Sequence, residues 1–133
     1  MYLSHTSRAN LYKRVDVESA ISDANPVRLI VMLYDGAIRS LNEAIAAKRL
    51  GNIAEKGRAV SRATRIIEEG LRASLDPRGG KITEDLNELY VYLSKRILTA
   101  HLHNDEAMFV EALALLGTMR EAWHGIEKGQ HHG

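Results

Sequence analysis

The pattern of apolar positions is clearest from Asn25 onward, where it predicts an amphipathic helix that ends near residue 49. An asparagine side chain caps helix N-termini, and Pro26 suits the first helical position because its missing N–H costs nothing there. Apolar residues then recur at the three- and four-residue spacing of one helix face, namely Val27, Ile30, Val31, Tyr34, Ile38, Leu41 and Ile45. Three more apolar side chains point away from this face, and we expect something other than the helix's own bundle to cover them: Leu29, Met32 and Leu33.

A second helix is predicted over residues 53–75. Gly51 is a typical residue just past a helix end, and Asn52 with Glu55 three residues later forms a capping box for the next helix. The predicted core row of this helix is Ile53, Val60, Ile67 and Leu71. So short a connection favours two helices that pack side by side in opposite directions. The segment 76–81 contains one proline and two glycines and is the plainest loop of the chain.

Two more helices complete the pattern. Thr83 is predicted to cap the third helix, whose core row is Leu86, Leu89, Tyr90, Leu93, Ile97 and Ala100. A turn at 101–105 precedes the fourth helix, over about 106–127, with the core row Phe109, Leu113, Leu116, Arg120 and Trp123. The sequence therefore predicts an all-α, antiparallel four-helix bundle with up-down-up-down connections over residues 25–127. An N-terminal leader at 1–24, which is either an extended strap or a short helix, and a frayed tail at 128–133 flank it.

Composition excludes several classes of protein. The chain has 133 residues, which is one domain's length, and its net charge of +1 makes no electrostatic case for binding nucleic acid or a membrane surface. It has no cysteine, and therefore no disulfide, thiolate metal site or cysteine nucleophile. No apolar run has the length of a signal peptide or a membrane span, so we expect a cytoplasmic protein without membrane insertion.

The candidate chemical sites are weak. Di-iron bundles need two Glu-x-x-His motifs, and only the pair Glu121 and His124 has that spacing. His101 and His103 lie at a helix end, where a solvated turn is the simpler interpretation. A histidine phosphotransfer domain, also a small helical bundle, needs an exposed histidine in the middle of a helix. His124 lies in the last turns of the last helix, which is a poor platform. We therefore expect no metal, no cofactor and no enzymatic activity.

What remains is a surplus of apolar side chains off the predicted core rows. They include Leu29, Met32, Leu33, Ile66, Val91, Leu98, Met108, Leu115 and Met119. An oligomer interface would cover them, and so would a different assignment of the core rows. The functional interpretation is a groove that receives an amphipathic helix from a partner, for which methionines are well suited because a thioether adapts to varied shapes. The groove residues predicted on this basis are Leu29, Met32, Leu33, Ile66, Met108, Leu115 and Met119.

The chain resembles the FliS family of flagellar secretion chaperones, which bind flagellin. The matching blocks keep their order and spacing over residues 12–126: Tyr12, VESA at 17–20, LIVMLYDG at 29–36, IIEEGLRASLD at 66–76, LYVYLSKRIL at 89–98, Asn104-Asp105 and REAW at 120–123. Each block alone is weak, but together they are specific.

The resemblance implies a four-helix bundle that holds the C-terminal segment of flagellin in the cytoplasm and prevents its premature polymerisation. It also implies delivery of that client to components of the flagellar export apparatus. In the family an N-terminal segment lies over part of the groove, which would give the apolar leader residues Tyr12, Val17 and Ile21 the role of a covering strap. A helical signalling or adaptor bundle, such as a phosphotransfer domain, is the alternative.

Overall fold

The structure is a computed structural model, and it describes residues 25–132, with side chains described for 25–129. This part of the chain is all-helical, without a strand, and its four helices form the predicted four-helix bundle. Their bounds are Pro26–Arg49 for α1, Ile53–Arg65 for α2, Lys81–His103 for α3 and Glu106–His132 for α4. The fourth helix thus runs beyond its predicted end at residue 127.

The ends of α1 have the predicted local causes. The side chain of Asn25 accepts hydrogen bonds from the backbone N–H groups of Val27 and Arg28, at 3.1 and 3.3 Å. Two of the N–H groups that lack a partner inside the helix are thereby satisfied. At the other end Gly51 has φ +72°, a left-handed conformation that glycine adopts without strain. The backbone N–H of Asn52 then bonds the carbonyl oxygen of Ala47 at 2.9 Å, which closes the helix.

The second helix differs from its prediction in two respects. Asn52 does cap it, accepting a hydrogen bond from the backbone N–H of Glu55 at 3.1 Å. However, Ile53 is 77% exposed instead of buried, because it is the first residue of the helix and lies at the end of the bundle. After Arg65 the chain also widens into a π-helical turn, Ile66–Leu71, and then tightens into a 3₁₀ turn, Arg72–Ser74. The segment predicted as a helix over 53–75 is thus helical to Ser74, but its residues 66–74 are π-helical and 3₁₀ instead of α-helical.

The third helix begins two residues before its predicted cap. It starts at Lys81, directly after Gly80, and no side chain caps it. Thr83 instead lies inside the first turn, where its hydroxyl donates a hydrogen bond to the carbonyl oxygen of Asp76 at 2.6 Å. The threonine therefore holds the preceding loop against the helix. At its far end α3 continues through His103 and stops at Asn104, whose φ of 53° is left-handed.

Two buried rows on α1 account for Leu33, one of the three surplus apolar residues on that helix. Besides the predicted row, a second row of mostly small residues is buried: Leu33, Ala37, Ser40, Ala44 and Ala47. The first helix contacts both α2 and α4, so it needs a buried face wider than one stripe. A Cβ added to Gly36 would lie 3.3 Å from the Cδ1 of Ile66, which shows how closely α1 and the π-helical turn approach each other.

Ion pairs connect the helices along their edges. Those between α1 and α4 have N···O distances of 2.6 Å for Arg49–Glu106, 2.9 Å for Arg120–Asp35, 3.5 Å for Arg28–Glu127 and 3.9 Å for Lys48–Glu106. Residue numbers fall along α1 as they rise along α4. The side chain of Lys56, near the start of α2, reaches the end of α3, where it donates to Asn104 Oδ1 at 2.8 Å. The complete up-down-up-down order stays a prediction.

Candidate functional site: an apolar cleft at one end of the bundle

One end of the bundle carries an apolar cleft of about 310 Å³. It lies where α1 and α3 begin and where α2, through its π-helical and 3₁₀ turns, and α4 end. Its lining residues are Pro26, Val27, Ile30, Leu71, Ser74, Leu75, Asp76, Ile82, Thr83, Leu86, Tyr90 and Trp123. Among them Ile82 is 71% exposed, an unusual state for so large an apolar side chain. The cleft can therefore take up apolar side chains from outside the bundle.

Polar bonds hold the wall between α2 and α3. Glu68, in the π-helical turn, accepts hydrogen bonds from Arg72 Nη1 at 2.7 Å and from the hydroxyl of Ser94 at 2.9 Å. Arg72 in turn donates from Nε to Asn87 Oδ1 at 2.7 Å. These bonds join the end of α2 to α3, so Leu71 and Leu75 are kept in position beside Leu86.

The loop under Ile82 is also tied down. Asp76 accepts a hydrogen bond from the backbone N–H of Arg78 at 2.9 Å and pairs with its guanidinium at 2.8 Å. That guanidinium, together with the backbone bond, lowers the pKa of the Asp76 carboxyl. A second, more polar pocket of about 400 Å³ adjoins the cleft and shares Leu75 and Thr83 with it. The apolar cleft therefore has a polar border on the side of the loop.

A pair of tyrosine hydroxyls lies at the base of the cleft. Tyr34 and Tyr90 are 0% and 1% exposed, and their Oη atoms are 2.6 Å apart. Burial raises the pKa of both hydroxyls, so each is protonated at any physiological pH. Trp123 is half-buried beside them, and its indole N–H acts on the Tyr34 hydroxyl to lower its pKa against the larger effect of burial. Trp123 is thus a wall of the cleft and not the enclosed core residue that its row predicted.

The histidine considered for phosphotransfer, His124, contacts a neighbouring carboxylate. His124 is half-buried, and its Nδ1 lies 3.2 Å from Oε1 of the buried Glu127. The same carboxylate pairs with Arg28 on α1. His124 therefore serves the contact between α1 and α4. Within residues 25–129, no group of three histidine and acidic side chains is placed to hold a metal ion.

The predicted groove residues are not brought together in one surface. Leu33, Ile66 and Met119 belong to the hydrophobic core, with exposures of 1%, 8% and 9%, so the prediction that they point away from it is wrong. Ile66 is buried where the π-helical turn approaches α1, with its Cδ1 3.3 Å from the position of a Cβ on Gly36. Met108 and Leu115 are partly buried and pack against the same core. Leu29 and Met32 are half-buried on α1, and their role in binding stays a prediction.

None of the residues that line the cleft was among the groove residues predicted from the sequence. Ile82 and Leu75 flank the loop at 76–81, and Pro26 and Val27 are the first residues of α1. Apolar residues at the ends of the predicted helices could have indicated the cleft, because no other part of the bundle lies beyond a helix end to cover them. The strap residues Tyr12, Val17 and Ile21 lie outside the described residues.

The comparisons with known proteins decide the family. The family model described as "Flagellar protein FliS" matches residues 8–130 of this chain. The chain belongs to the FliS family. Its curated relatives include a flagellar secretion chaperone FliS from Salmonella typhimurium, 44% identical over 116 residues that make up 86% of each chain. A flagellar secretion chaperone FliSB from Pseudomonas aeruginosa is 40% identical over 86% of this chain and 91% of its own.

A third FliS relative, from Escherichia coli, is 37% identical over 124 residues, which are 92% of this chain and 90% of the relative. The match to the FliS family assigns the chain to export chaperones of the flagellum and not to a family of enzymes. Within the described part of the chain, every helix falls short of the length and hydrophobicity that a membrane crossing requires.

Proposed function

We propose that the protein binds the C-terminal segment of flagellin in the cytoplasm, prevents its premature polymerisation and hands it to the flagellar export apparatus. Family membership supports the export role. The observation that carries the binding proposal is the apolar cleft at the end of the bundle, with Ile82 exposed at its rim. The proposed client is an amphipathic helical segment whose apolar side chains enter the cleft.

The chemistry of the cleft suits such a client. Its walls come from four helix ends and are almost wholly aliphatic or aromatic, so binding would remove apolar surface from water on both partners. Its volume of about 310 Å³ is at the lower end of the range for ligand pockets and has room for one or two large apolar side chains. The polar bonds around Glu68 and Asp76 fix the walls beforehand, which lowers the entropy lost on binding.

Two further parts of the chain belong to the proposed site. Leu29 and Met32 are half-buried on α1, outside the cleft and on the side of the helix away from Ile30, and we keep them as further contacts for the client. The leader joins α1 at Asn25, immediately before the cleft residue Pro26. A strap formed by residues 12–24, with Tyr12, Val17 and Ile21, would therefore begin at the edge of the cleft and cover it until the client arrives.

The test is Ile82→Asp, with binding to a C-terminal flagellin fragment measured by titration calorimetry. A carboxylate placed against an apolar client loses its hydration, so we expect affinity to fall by at least about tenfold. The fold should survive, because Ile82 is mostly exposed and an acidic residue in the first turn of α3 interacts favourably with the helix dipole.

Ile53→Asp is the matched control. Ile53 is also an exposed isoleucine in the first turn of a helix, but it lies at the start of α2, by the end of the bundle where Lys56 contacts Asn104. Its substitution should leave affinity unchanged. Equal affinity of Ile82→Asp and wild type would contradict the placement of the client, and failure of the wild type to bind the fragment would contradict the proposed function itself.

A further inference from the structure

One hydrogen bond at the base of the cleft joins α1 to α3. The hydroxyls of Tyr34 and Tyr90 lie 2.6 Å apart, and either of them can be the donor. Tyr90 lines the cleft, and so does Trp123 on α4, which also lowers the pKa of the Tyr34 hydroxyl against the larger effect of burial.

Tyr34 itself does not line the cleft. It lies on α1, fully buried, with its ring centroid 6.4 Å from that of Tyr90 and the two ring planes inclined at 51°. The 2.6 Å contact between the hydroxyls is short even for an O–H···O bond. Because the surroundings are apolar, neither hydroxyl exchanges this bond for water without cost. The bond therefore fixes where the hydroxyl end of Tyr90 lies at the base of the cleft.

We propose that Tyr34 is a positioning residue for client binding: the bond between its hydroxyl and that of Tyr90 fixes the position of a side chain that lines the cleft. The inference rests on the proposed function, because it takes the cleft as the client site. A simpler role for the same pair would be to stabilise the core. The two roles differ in what the loss of the hydroxyl does to a protein that remains folded.

Tyr34→Phe removes the link while keeping the ring. We expect the folded variant to bind the flagellin fragment about three- to tenfold more weakly, the range that corresponds to one net hydrogen bond. Affinity is measured well below the melting temperature, where a merely less stable protein would still be folded and would bind as tightly as wild type. Tyr92→Phe is the matched control, because Tyr92 lies two residues from Tyr90 and donates its hydroxyl to Glu111 at 3.0 Å on the exposed surface.

The single tryptophan supplies a second measurement. Since Trp123 is the only indole of the chain, its fluorescence reports on this wall of the cleft. We expect Tyr34→Phe to shift the emission of the folded protein and to reduce the change that client binding causes, and Tyr92→Phe to do neither. A role confined to stability would leave the emission of the folded state unchanged.

Tyr90→Phe breaks the same bond from its other side and repeats the test if Tyr34→Phe does not fold. The double variant Tyr34→Phe/Tyr90→Phe should bind no more weakly than either single variant, because one substitution already breaks the link. If the two losses of affinity multiply in the double variant, each hydroxyl acts on the client separately. If the double variant regains wild-type affinity, an unpaired hydroxyl and not the lost link weakened binding in the single variants. Either result overturns the proposal.

If Tyr34→Phe binds the client with wild-type affinity and has wild-type fluorescence emission, the positioning role is overturned and the proposed function stands. No binding by the wild-type protein overturns both. The Ile82→Asp variant separates these cases, because it tests the location of the client without touching the tyrosine pair.

Discussion

Lys56 on α2 is a charged residue in a buried place. It is 6% exposed, and its Nζ donates hydrogen bonds to the carbonyl oxygen of His101 at 3.2 Å and to Asn104 Oδ1 at 2.8 Å. Both acceptors belong to the C-terminal end of α3, where the helix dipole favours a cation. Two effects lower the pKa of the His101 imidazole: burial is the larger, and the positive charge of Lys56 is the second. The side chain of Lys56 on α2 thus caps the C-terminal end of α3.

Lys56→Met should lower the free energy of unfolding by about 1–3 kcal/mol, because it leaves two partly buried acceptors without a donor. Chemical denaturation measures this loss. Lys95→Met on the exposed face of α3 removes the same charge and keeps the same side-chain length, and we expect it to change stability by less than about 0.5 kcal/mol. Equal effects of the two substitutions would show that the bonds of Lys56 contribute nothing.

His101 adds a pH dependence of known sign. Its folded-state pKa is below the ordinary value, so below about pH 6.5 the unfolded chain takes up a proton that the folded protein resists. Its contribution to stability is therefore present above that pH and is lost as the pH falls towards the folded pKa. Lys56→Met removes the second cause of the shift, and an NMR titration of the His101 imidazole should show its pKa moving upwards. A pKa that stays unchanged would contradict the coupling.

At the scale of elements, the packing of α1 against α2 depends on how close Gly36 allows the two helices to come. A glycine inside a helix costs about 0.5–1 kcal/mol relative to alanine, so most such replacements stabilise. At Gly36 the new Cβ would lie 3.3 Å from Ile66 Cδ1, and the buried isoleucine must move to accept it. Inside α4, a Cβ at Gly117 would meet nothing within 4 Å.

We therefore expect Gly117→Ala to raise the free energy of unfolding by about 0.5–1 kcal/mol and Gly36→Ala to raise it by less or to lower it. Thermal or denaturant unfolding of the two variants against wild type makes the comparison. An equal gain at both positions would mean that the contact between α1 and the π-helical turn is looser than the 3.3 Å distance implies.

The same elements show what the sequence could and could not predict. Short-range chemistry predicted the caps of α1 and α2 correctly: the Asn25 and Asn52 side chains bond the backbone as expected, and Gly51 ends α1. It failed at α3, where Thr83 lies inside the first turn and no side chain caps the helix. The π-helical turn had no such signal, because its residues also suit an α-helix and π-helices are rare. The second row of α1 was not predicted, because alanine and serine do not stand out as an apolar row. Their small side chains nevertheless allow neighbouring helices to approach α1 closely.

For the whole molecule, the bundle was predictable and the cleft was not. Each helix has its own period and caps, so the fold follows from segments that can be read one at a time. The cleft instead joins four helix ends that are far apart in the sequence, from Pro26 through Leu75 and Ile82 to Trp123. No local pattern connects them. The family resemblance supplied the expectation of a client, and the cleft in which we propose that the client binds differs from the predicted groove.

The leader gives the last prediction, at the scale of the whole chain. If residues 12–24 cover the cleft as a strap, they compete with the client at an effective concentration that reaches about the millimolar range, so even weak contacts keep the cleft closed. Deleting residues 1–20 should leave the bundle folded, because the described core is formed entirely by residues from Val27 onwards. Client affinity should then rise; a fall would mean that the strap also clamps the bound client. Hydrogen exchange checks the mechanism independently: amides in 12–24 should be partly protected in the free full-length protein and change on binding the flagellin fragment. Complete exchange in both states, with an affinity that the deletion does not alter, would contradict the strap.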